Sequence, residues 1–159
     1  MDSPFLTQSH VVISLIGILS GLIVLYGLLK SDRMPRMTLL FLVTTILTSV
    51  TGFIFFKRDV LMPSHITGII SLVFLALAVF ALYIKHFRGG WRATYVVAAV
   101  ISLYLNVFVL VVQGFIKVPA LNALAPTQAE PPFAIAHGCV LVLFIVLGVF
   151  AVRRFRPVV

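Results

Sequence analysis

Five side chains carry most of the chemistry this chain could do: the imidazoles of His10, His65 and His137 and the carboxamides of Asn106 and Gln113. A neutral imidazole takes up a proton or binds a metal through its lone pair. A carboxamide set in apolar surroundings cannot satisfy itself and requires a partner or water. Two of the histidines recur in one pattern. Ser9-His10 is followed, 20 residues after the histidine, by Lys30 and then Arg33, and Ser64-His65 is followed at the same spacing by Lys85 and Arg88. The offset is 55 residues throughout, as a duplicated two-helix hairpin would give. A competing explanation is that any helix ending on the basic side of a membrane finishes in such residues.

The elements that position these groups follow from composition. Hydrophobic residues make up 62% of the 159 residues and charged ones only 10%, against about a quarter charged in an ordinary soluble domain. Mean hydropathy is +1.20. Such a chain cannot cover a water-facing surface and is too apolar to be disordered. One cysteine excludes an internal disulfide framework and a cysteine-based zinc site. Five stretches without a charged side chain, 11–29, 38–56, 66–84, 95–116 and 133–152, each reach the roughly 20 residues needed to cross a bilayer core. The expected fold class is therefore all-α: one polytopic membrane domain over 1–159, a bundle of five transmembrane helices. Their bounds fall at about 4–29, 37–56, 64–85, 93–117 and 132–153, with an outer cap loop at 117–132. Ser3-Pro4, Pro35, Pro63-Ser64 and Pro131-Pro132 punctuate the starts, where proline costs no internal hydrogen bond. No basic segment precedes the first helix and no small-residue cleavage pattern follows it, so it is expected to remain in the mature protein.

Charge sets the expected orientation. Nine of the twelve basic residues (Lys30, Arg33, Arg36, Lys85, Arg88, Arg92, Arg153, Arg154 and Arg156) fall on one side, and Lys57, Arg58 and Lys117 on the other. The positive side is cytoplasmic, which places the N-terminus outside and the C-terminus inside. A multi-pass protein of a bacterial cytoplasmic membrane is the expected localisation. The basic residues are divided among short loops, so they imply attraction to anionic lipid and no nucleic-acid partner.

In this topology His10, His65, His137 and Gln113 lie at one level near the outer ends of their helices. On the fourth span, Tyr95, Ser102, Asn106, Gln113 and Lys117 fall within about 40° of one line. An outward-facing pocket of the histidines with Ser102, Asn106 and Gln113, closed by Gln128 and Glu130 of the cap loop, is the expected site. It could hold haem b between His10 and His65, or zinc or copper on all three histidines, or a small ligand, in an electron-transfer or metal-handling complex. The competing account of the histidines is snorkelling at the interface. Gly17 and Gly21 make a small-xxx-small face for close helix packing, and the second span's threonines and serines read as packing groups. These features equally suit an assembly subunit without chemistry, contacting other membrane subunits or a second copy. A third reading is a small-solute transporter or channel along the Asn106 stripe. No acidic residue lies within a span, and no Ser-His-Asp pattern, Gly-rich phosphate loop or HExxH appears, so no catalytic residue is assigned and the chain is not expected to be an enzyme.

Overall fold

The computed structural model describes residues 4–55 and 63–157. Phe56, Lys57, Arg58 and Asp59, which bear on the end of the second span and its loop, lie outside the described residues. Six α-helices follow one another: α1 (Pro4–Lys30), α2 (Pro35–Phe55), α3 (Pro63–Val79), α4 (Trp91–Lys117), the short α5 (Pro119–Leu124) and α6 (Pro131–Arg154). No strand occurs among the described residues. Five of the helices are long and apolar enough to cross a membrane. Four of them begin on a proline, whose fixed φ and missing N–H suit the first helical turn.

The centre of the bundle is α1, α2 and α4. Gly21 carries the closest approach: a Cβ there would stand 2.5 Å from Leu103 Cδ1 and 2.9 Å from the Phe41 ring. Gly17 lies one turn earlier, against the hydroxyls of Thr44 and Thr45. The two glycines thus let α1 settle into the groove between α2 and α4, where side chains would hold it off. Thr38, Thr44, Thr45 and Ser102 are buried here, and three of them donate back to their own chain: Thr38 to Arg33 O, Thr44 to Leu40 O and Ser102 to Ala98 O.

The arginine-rich end is tied together by aromatic packing. After α3 the chain widens into a π-helical turn over Phe80–Ile84, and His86 and Phe87 then adopt positive φ of 47° and 60°. This bend turns the Phe87 ring inward onto Tyr95 and Phe155, at centroid distances of 5.0 and 5.5 Å. The Arg33 guanidinium lies over the outer face of Phe87 at 5.1 Å. Arg92 Nη1 donates to the carbonyls of Val152 and Phe155, closing the C-terminal end of α6. Ser31 Oγ accepts from the Arg156 N–H at 2.8 Å. Elsewhere α6 is lightly held; its buried residues are Phe144 and Ala151.

Candidate functional site

At the opposite end, α1 to α4 splay around a cavity of about 590 Å³. Small-molecule sites commonly occupy about 300–1,000 Å³. On α1 the wall is formed by Thr7, His10, Ser14 and Ile18, a face of steps three and four. From Thr7 to Ile18 the cavity runs roughly 16 Å along the helix, at about 1.5 Å per residue, or half a bilayer core. The second wall is Thr48, Ser49, Gly52 and Phe53 of α2; the third is His65, Thr67, Gly68 and Ser71 of α3. From α4 come Asn106, Gln113, Gly114 and Lys117, with Leu105, Val109 and Leu110. Among the described residues, α5 and α6 contribute nothing to this wall.

His10 is oriented by a relay. The Thr51 hydroxyl donates to Leu47 O at 2.6 Å, so its oxygen accepts from His10 Nδ1–H at 2.8 Å. In that neutral tautomer the lone pair belongs to Nε2. His65 is buried and stacks on Phe53, with ring centroids 5.6 Å apart and planes 18° from parallel. Gly68 makes room for that stack, since a Cβ there would stand 3.1 Å from the Phe53 ring. Asn106 Nδ2 donates to Thr45 Oγ1 at 3.3 Å across the α2–α4 contact.

His137 does not share this space. It lies between Phe108 and Phe133, each 4.4 Å away by ring centroid, and neither ring nitrogen has a hydrogen-bond partner among the described residues. The same residues contain no group of three or more His, Cys, Asp or Glu placed to hold a metal ion. Of the pocket residues expected from sequence, His10, His65, Asn106 and Gln113 therefore come together. Ser102 is fully buried in helix packing one turn beyond Asn106, and Gln128 and Glu130 lie off the wall.

The Glu130 carboxylate is occupied within its own loop. It accepts from Thr127 N–H and Oγ1–H and from Ala129 N–H, and these bonds, with Thr127 foremost, hold its pKa below the usual carboxylate value of 4.5. A depressed pKa stabilises the folded loop above that usual value and stops doing so as pH falls through the lower folded value. Amide exchange at 127–130 is accordingly expected to be unchanged from pH 8 to 5 after correction for intrinsic rates, and to accelerate below about pH 4. Exchange that accelerates already between pH 7 and 5 would contradict this assignment.

Two features of the wall were not visible in the spacing. Thr48, Ser49 and Gly52, expected to serve packing, face the cavity. Ser71 is 3% exposed, yet its hydroxyl has no hydrogen-bond partner among the described residues. The three-residue step from Gly68 to Ser71 was the available signal. The fold and site define a class, a helical protein with five candidate membrane spans and a largely apolar cavity set with polar side chains. No family model, curated protein or solved structure matches the chain.

Proposed function

We propose that this protein is a multi-pass binding module of a bacterial cytoplasmic membrane, its cavity open to the outer side and holding one small amphipathic molecule. The observation that carries this reading is the convergence of His10, His65, Asn106 and Gln113, from three helices, on one space of ligand size with an apolar body. The orientation follows from the basic residues, nine of which cluster at the end away from the cavity. Hydrogen bonds from the ligand to these side chains would fix its position as well as add affinity.

In nanodiscs, an alkyl alcohol carrying a solvatochromic dye is expected to bind saturably with a blue shift. Val109→Trp, which sets a large ring into the cavity, is expected to reduce the shift, and His10→Ala with His65→Ala to weaken binding about tenfold, at about 0.5–1.5 kcal/mol per hydrogen bond. Unsaturable uptake, identical in Val109→Trp, would refute the reading. A Soret band in the purified protein would replace the small molecule with a haem on His10 and His65.

One observation favours a second role beside the first. α6 leaves a long apolar face uncovered, including Ile135, Val142 and Leu143 around the exposed Cys139. As an assembly subunit, the protein would use that face against another membrane protein or a second copy, and oxidative crosslinking at Cys139 would report the latter.

A further inference from the structure

The hydrogen-bonding polarity of the wall narrows the occupant, given the binding role proposed above. A serine or threonine hydroxyl has one proton and two lone pairs. Ser14 gives its proton to His10 O at 2.7 Å, Thr48 to Thr44 O at 2.9 Å and Ser49 to Thr45 O at 3.1 Å. Each of these hydroxyls, spent on its own helix, turns a lone pair toward the space it lines. Asn106 uses one N–H on Thr45 and keeps its carbonyl oxygen as a further acceptor. Counted by groups, the wall is therefore richer in acceptors than in donors, which include the second N–H of Asn106, the Gln113 amide, Lys117 and the unspent proton of Ser71. Ser71 adds the independent sign of a missing partner: a hydroxyl nine-tenths buried, on the wall, without a hydrogen bond among the described residues.

Charge removes other donors. Lys117 is the one formally charged side chain on the described wall, and no acid accompanies it. The positive ends of the α1 and α3 dipoles lie at the same end of the bundle. An ammonium ligand would meet repulsion from all three. A carboxylate would be drawn to Lys117 at the outer end of α4, but along the rest of the wall it is acceptor-only and would set lone pairs against those of the serines and threonines. Shape gives the last constraint. The stacked Phe53 and His65 rings provide a flat face, and Gly52, Gly68 and Gly114 leave space along the wall. We propose that the cavity binds a neutral, lipid-soluble ring bearing hydroxyl groups, of the quinol class, and prefers this reduced form to the quinone, whose carbonyls can only accept.

The test is equilibrium binding to the full chain in phosphatidylcholine nanodiscs under argon. The probes are a short-tailed alkyl benzoquinol, the matching quinone and an alkyl carboxylate of equal length. Quinol is expected to bind at least tenfold more tightly than quinone, and the carboxylate more weakly than either. Ser71→Ala, which removes no hydrogen bond among the described residues, is expected to weaken quinol binding about three- to tenfold. Ser14→Ala provides a second variant on a different helix, expected to act in the same direction. Equal affinity for the two redox forms, preference for the quinone or preference for the carboxylate would overturn the proposal. If the dye-labelled alcohol still binds in that case, the binding role stands and only the ligand class falls; if nothing binds, both fall.

Discussion

Replacing Phe155 by alanine is expected to destabilise the protein by about 3–5 kcal/mol, the range for losing a buried phenylalanine. Phe155 is fully buried although it lies just past the last helical turn, and it meets both Phe87 and Tyr95. The cost reflects packing lost on two rings and a cavity that cannot collapse, because Tyr95 is held by α4 and Phe87 by the bend that precedes it. The carbonyl of the same residue accepts from Arg92, so loosening the ring also disturbs the cap on α6. Thermal unfolding in detergent micelles measures the effect, with Ile145→Ala on the exposed face of α6 expected to change stability by less than about 0.5 kcal/mol. Equal losses for the two variants would show that α6 is not anchored through its C-terminal end.

The second large effect is expected at Gly21. Leucine there would overlap Leu103 and Phe41, both buried, and would force α1 away from α2 and α4. Overpacking of this kind costs about 1–3 kcal/mol, and the upper end applies because two neighbours are struck at once. Leu103→Ala in the same chain is expected to recover part of the loss, since it vacates the nearer contact. Gly138→Ala is the control: a Cβ there meets nothing within 4 Å, and stability should stay within about 0.5 kcal/mol of the parent. A Gly21→Leu protein that unfolds like the parent would overturn the close-packing account of α1.

Much of this arrangement is legible from residue order because lipid imposes simple rules on a chain. Apolar length sets the five spans, and prolines at 4, 35, 63 and 131 mark their starts. The Gly17–Gly21 step marks the tight face for the same reason. The stripe on the fourth span is one line in the sequence but serves two purposes. Its Tyr95–Ser102 half is sealed in packing, and its Asn106–Lys117 half opens on the cavity. Helical spacing cannot tell these apart, because the difference lies in how far α1 to α4 diverge. His137 escaped for a related reason. Depth along the bundle follows from position in a span, whereas rotation about the axis depends on neighbours, here Phe108 and Phe133. Ser71 is the clearest case: a serine in a helix ordinarily donates to the carbonyl four residues back, and nothing in the local sequence marks one that does not.

The confinement of the cavity wall to α1–α4 has a consequence for how the chain is made in the membrane. The helices that carry the wall precede the final span in the chain and emerge from the ribosome before it. The last helix then joins as a staple at the basic end, and its Phe133, His137 and Phe144 pack on Phe115, Phe108 and Tyr104 of α4 without entering the cavity wall.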